Sequence, residues 1–167
     1  MLSTSFDSRR SSQQPRTVSL SFNGTVGKRY VPFLRRYLKR AIPLIRNAPS
    51  DISIALVNDA RMSELHLRFM NIPGPTDVLT FELDHNPSSG RCVSGEIVIC
   101  VPEARRQASR LGHALEHELL LYALHGILHL CGYDDRNRQS YRRMHRTEDR
   151  ILTAIGIGAV FTRSGTK

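Results

Sequence analysis

From about His113 to Cys131 the chain reads as one long helix, with Leu119, Leu120, Leu121, Leu124, Leu128 and Leu130 spread over several of its sides. A helix that is apolar all round has no face to give to solvent and belongs at the centre of a domain. Within it, His125 and His129 stand four residues apart. Residues at i and i+4 share one helix face, so both imidazoles can reach one ion. Gly132 follows, and a glycine there can end the helix in the left-handed region and turn the chain back. Asp135, six residues after His129, then arrives as a candidate third ligand. Three protein ligands with a fourth position open is the pattern of a catalytic zinc site, whereas closed sets of four are structural.

Spacing alone leaves alternatives. His113 and His117 are also four apart, but no third ligand follows them, and they read as surface histidines. Two histidines buried in a core need polar partners, which a metal or other side chains can supply. The motif also overlaps the metzincin pattern HExxHxxGxxH, except that Gly126 replaces the glutamate and Asp135 the last histidine. A metalloprotease without that glutamate lacks its general base. Cys131 reads as a small residue packed beside the site rather than as a ligand.

Along the rest of the chain, four segments read as strands: Thr17 to Phe22, Ile52 to Val57, Asp77 to Leu83 and Gly95 to Val101. Tyr30 to Ile45 has helical periodicity, with Arg35, Arg36, Lys39 and Arg40 forming a solvated face first and an RNA-facing surface second. Asn58 or Asp59 can cap a helix over Ala60 to Phe69. Asn71 to Pro75 is a loop, and Pro102 opens a helix, where its missing N–H is harmless. Asn137 to Ala154 is a last helix, with Tyr141, Met144, Ile151 and Leu152 inward and Arg138, Arg142, Arg143 and Arg146 outward. The expected architecture is α+β, a single domain: a small mixed four-stranded sheet packed with about five helices, the central buried one carrying the metal motif. Residues 1–16 read as a disordered basic tail, 17–156 as the folded domain and 157–167 as a loose C-terminal tail.

Lys plus Arg number 24 against 15 Asp plus Glu, a formal net charge of +9. That excess suits a polyanion such as RNA, or simply arginine-rich solvated faces. Trp is absent, so phosphate contact by Arg and Lys is the expected mode rather than a stacking platform. The three cysteines form no CxxC pair, which fits a reducing cytoplasm and no disulfide-linked partner. No apolar run is long enough to span a membrane, so no membrane partner is expected.

His125 to Asp135, HGILHLCGYDD, closely resembles the HGxLHLxGYDH signature of the YbeY family of ribosomal-RNA-processing endoribonucleases. Pro75 to Phe81 (PTDVLTF) resembles that family's PTDVLSF segment, and Gly95-Glu96-Ile97 its G-D/E-I strand. Glu118 occupies the acidic position upstream of the motif, and Met144, Glu148, Ile151 and Leu152 follow the closing-helix pattern. The resemblance spans roughly residues 50 to 155. It implies a zinc ion held by His125, His129 and Asp135. It also implies metal-dependent cleavage of single-stranded RNA in ribosomal RNA maturation and ribosome quality control. Asp134 is expected to brace the turn, cap the next helix or support the ligands.

Two departures bear on that expectation. Asp135 stands where the family usually has a third histidine. A carboxylate adds negative charge, so water on the ion is expected to be less acidic, and the oxygen ligand widens tolerance for other divalent transition metals such as Mn or Fe. The family's arginine, five residues before Pro75, is here Met70, leaving Arg68 as the candidate catalytic arginine. No general base is apparent within the motif. Glu118, two turns before His125, reads as a structural or supporting carboxylate. A non-catalytic RNA- or ribosome-binding factor that keeps the metal for folding is the alternative.

Overall fold

The structure is a computed structural model that describes residues 17–160, so the expected tail at 1–16 and residues 161–167 of the one expected at 157–167 lie outside the described residues. Four strands, β1 (Ser19–Gly24), β2 (Asp51–Val57), β3 (Val78–His85) and β4 (Cys92–Cys100), form one mixed sheet in the order β1-β2-β4-β3. The first two pairings are parallel and β3 returns antiparallel to β4. Five α-helices accompany them: α1 (Val31–Ala41), α2 (Asp59–Met70), α3 (Val101–Leu111), α4 (Leu115–Leu130) and α5 (Arg138–Ala154). The α+β architecture expected from the sequence is therefore the one observed.

Alternation along the strands splits the core in two. Ile52, Ile54, Leu56, Ile97 and Ile99 face α1, α4 and α5 in the larger cluster. Leu79, Val98 and Cys100 point the other way and meet Met62 and Leu65 of α2. The leucine-rich α4 is the central buried helix, with Leu119, Leu120, Leu124, Ile127 and Leu128 all fully buried. Two glycines let it lie directly on β4. A Cβ on Gly126 would stand 2.7 Å from Ile97 Cγ2, and one on Gly95 would stand 2.5 Å from Leu130 Cδ2. Bare backbone at both points brings helix and strand closer than any side chain would permit.

Local chemistry sets the helix ends. Asn58 Oδ1 accepts from Arg61 N at 2.9 Å to open α2. Asn137 Oδ1 accepts from Gln139 N and Ser140 N to open α5. Pro32 and Pro102 sit in the first turns of α1 and α3, where no N–H is needed.

Four expectations change in detail. Ile157 packs against the core and Val160 is buried in it, so the packed chain continues past Gly156 rather than turning loose at 157. Arg35 does not join a solvated face: its Nη1 donates to the Leu20 carbonyl at 2.9 Å and its guanidinium covers the Phe22 ring. Tyr141 is 41% exposed, not inward. His113 precedes α4 and folds back onto the helix, its Nε2 2.5 Å from the buried Glu118 carboxylate, so it is no surface histidine.

Candidate metal centre

The last two turns of α4 carry the first two candidate ligands, His125 and His129. Gly132 adopts φ +84, its N–H donates to the His129 carbonyl at 2.8 Å, and the Tyr133 N–H donates to the Leu128 carbonyl at 3.0 Å. This paired closure is the Schellman end of a helix. It folds Tyr133 back so that its carbonyl lies 3.0 Å from His129 Nδ1. Beyond it, Asp134 Oδ1 accepts from Asp135 N at 2.9 Å and from Arg136 Nε at 2.9 Å. Asp134 thus braces the turn, while Asn137 takes the helix cap.

The turn delivers Asp135 to the histidines. His125 Nε2 and His129 Nε2 are 3.0 Å apart. Asp135 Oδ2 stands 3.6 Å from the first and 3.9 Å from the second. Ligands at about 2.0–2.1 Å around a tetrahedral ion would be about 3.3 Å from one another, and the three separations bracket that value. All three residues are partly exposed, so solvent or substrate can reach the point between them.

Hydrogen bonding shows why this cluster suits a cation. A carbonyl only accepts, so His129 Nδ1 carries the proton toward Tyr133. His125 Nδ1 donates to Glu148 Oε1 at 2.7 Å. Neutral rings with protonated Nδ1 present bare lone pairs at Nε2, here facing each other and a carboxylate oxygen. A proton can bridge two of these atoms; three converging on one point fit a divalent ion. His125, His129 and Asp135 can therefore hold a metal.

The electrostatics follow the same pattern. Burial opposes charging of His125, but the Glu148 carboxylate, helped by Asp135, outweighs it and holds the imidazole above its usual value. Burial and the neighbouring His125 push His129 down. Burial would raise Glu148, but bonds from His125 and His145 keep it below the usual carboxylate range.

Glu148 and His145 are the functional neighbours that the motif did not reveal. Glu148 is fully buried and also receives His145 Nδ1 at 2.5 Å. A signal was present: a glutamate in register with Met144 and Ile151 on an inward helix face needs a buried partner. Asp77 contributes from the start of β3, where its Oδ1 accepts from Val78 N at 2.8 Å and its charge reaches His125. Cys131 contributes no ligand atom to the cluster, and burial pushes its thiol up to about 12. Glu118 serves elsewhere, bonded to His113 and Tyr122.

Arg68 is not brought to the site. It lies exposed in the last turn of α2, its guanidinium 5.4 Å from the Phe69 ring, and α2 packs on the sheet face opposite α4.

The chain also has relatives among known proteins. Proteins named Endoribonuclease YbeY from Mycobacterium ulcerans and Mycobacterium tuberculosis are each 40% identical over 114 residues, covering 64% of this chain and 64% of theirs. The match thus spans less than two thirds of those relatives' length. A solution structure of a Thermotoga maritima protein superposes with a TM-score of 0.56 at 25% identity, covering 81% of this chain and 90% of that one. The family model described as Endoribonuclease YbeY matches residues 25–156, from the end of β1 through the close of α5, and the chain belongs to the YbeY family.

Proposed function

We propose that this chain is a zinc-dependent endoribonuclease that cuts single-stranded RNA in ribosomal RNA maturation and ribosome quality control, in the cytoplasm. Another divalent transition metal is an alternative occupant of the site. The observation that carries the reading is the convergence of His125 Nε2, His129 Nε2 and Asp135 Oδ2 on one partly open point. The names of the relatives and the net charge of +9 support an RNA substrate.

When bound, the ion supplies Lewis-acid polarisation of a phosphodiester oxygen and a more acidic water. The protein's part is to hold the ligands still. Glu148 fixes the tautomer and ring plane of His125, and the Tyr133 carbonyl does the same for His129. Asp135 adds a negative charge that a third imidazole would not.

One observation favours a second reading, a metal-stabilised RNA- or ribosome-binding factor without catalysis. Among the described residues, no arginine or lysine bonds to Asp135 or to either histidine. Zinc-loaded protein given single-stranded RNA with and without chelator separates the two. Chelator-sensitive cleavage that disappears in Asp135→Ala supports the enzyme. RNA or ribosome binding without cleavage sinks it and leaves the binding factor. Unchanged zinc stoichiometry and affinity in Asp135→Ala would remove Asp135 from the ligand set.

A further inference from the structure

The outer face of α5 carries a second feature that the metal centre does not use. Arg138, Arg142, Arg146 and Arg150 recur at every fourth position, and all four are exposed. On a helix each step rises about 6 Å and rotates about 40°, giving a gently winding row about 18 Å long. Its first member stands three residues after Asp135, so the row starts where the turn that carries Asp135 enters α5.

The helix bears these charges against its own interest. Positive charge is disfavoured at a helix N-terminus and favoured at the C-terminus. α5 does the reverse: Arg138 is its first residue, the first turn has no acid, and the last turn has no base. Like charges at i and i+4 also repel along the row. Few carboxylates stand on the same helix. The helix has two, Glu148, buried against His125 and His145, and Asp149. Among the described residues no ion pair joins an arginine of the row to a carboxylate. The only contact within the row is Arg146 Nε donating to the Arg142 carbonyl at 3.2 Å. A local rule broken without local compensation points to an external partner.

We infer that the Arg138–Arg142–Arg146–Arg150 row is a track for the phosphate backbone of single-stranded RNA, leading the strand to or from the metal centre. The inference rests on the RNA-hydrolase reading and adds to it a binding surface for the substrate outside the metal centre. Regularly spaced guanidiniums suit successive phosphates, and a basic surface that follows the backbone is how single strands are held without sequence preference.

The test uses zinc-loaded full-length protein and a fluorescein-labelled 2′-O-methyl oligouridylate, its integrity checked on a gel after each titration. Affinity is measured by anisotropy across a salt series. Each phosphate contact on a single strand contributes about 0.7 to the slope of log affinity against log salt. The R138Q/R142Q/R146Q/R150Q variant is therefore expected to lower that slope by about 3. A matched R36Q/K39Q/R40Q/R46Q variant, in and just after α1, is expected to leave most of it. The α5 variant should melt at the same temperature as the parent or higher, since it removes repulsion. If it fails to fold, R138Q/R142Q alone should lower the slope by about 1.4. A slope unchanged in the α5 variants, or lowered equally by the α1 variant, overturns the track and leaves the hydrolase reading standing. A parent protein that does not bind the strand overturns both.

Discussion

His125 Nδ1 lies 2.7 Å from Glu148 Oε1, and Glu148 has no exposed surface. One carboxylate from α5 thereby decides which nitrogen of a ligand on α4 faces the metal point. Partners of this kind typically carry 10–100-fold of metal affinity. Glu148→Gln keeps the shape but gives up the charge, and is expected to weaken zinc binding by about that factor. Competition with a chromophoric chelator at fixed pH measures it; equal affinity in variant and parent would show that Glu148 does not orient His125.

The other buried glutamate near α4 should behave oppositely. Glu118 bonds to His113 and Tyr122 and contributes no atom to the ligand cluster. Removing it leaves two partners unsatisfied at about 1–3 kcal/mol each, about 2–6 kcal/mol together. Glu118→Ala is expected to lower stability by about that amount in urea unfolding while zinc affinity per folded molecule stays unchanged. A large loss of affinity at full stability would place Glu118 in the metal centre.

Metal binding should weaken on acidification, and the responsible imidazole can be named. His129 is depressed by burial and by His125, so it is already neutral near pH 7. His125 is held above its usual value because the Glu148 carboxylate outweighs burial, so it is the last to lose its proton as pH rises. Below that point one proton competes with the ion, and affinity should fall about tenfold per pH unit. Above it the dependence flattens until other groups titrate. Isothermal titration in two buffers of different ionisation enthalpy should detect the released proton; zero release near neutrality contradicts this assignment.

Steric closure between α4 and β4 makes a stability prediction. A methyl at position 126 meets Ile97, and one at 95 meets Leu130. Gly126→Ala and Gly95→Ala should each cost about 1–3 kcal/mol by overpacking. The double variant should deviate from additivity, because both open the same interface. Chemical denaturation of the four proteins tests this, and strict additivity would mean the helix does not shift as a unit.

The residues that declared themselves in the sequence are those whose partners are close in the chain. His125, His129, Gly132 and Asp135 fall within one helix end and its turn, so local geometry is enough to bring them together. Asn58, Asn137 and Pro102 mark helix starts for equally local reasons. Glu148 shows in the sequence as a family position and as a carboxylate on an inward helix face, but its partner lies 23 residues away and depends on how α5 packs on α4. The exposure of Tyr141 has the same origin: its ring stands edge-on to His145, 4.2 Å away, at the rim of that packing. Arg35 looked solvated because nothing in α1 announces that β1 passes beneath it. The order β1-β2-β4-β3 likewise depends on contacts between distant segments, such as Ile54 with Ile97, which periodicity does not encode.

Gly126 has a consequence for which chemistries this scaffold can reach by mutation. The histidine spacing lies two substitutions from that of a zinc peptidase, and the glutamate that such an enzyme needs would sit at position 126. That position is walled by Ile97, so a glutamate could enter only by lifting α4 off the sheet that holds the histidines in place. Neighbouring sequences are thus separated by a packing barrier at position 126, which a change at Asp135 does not meet.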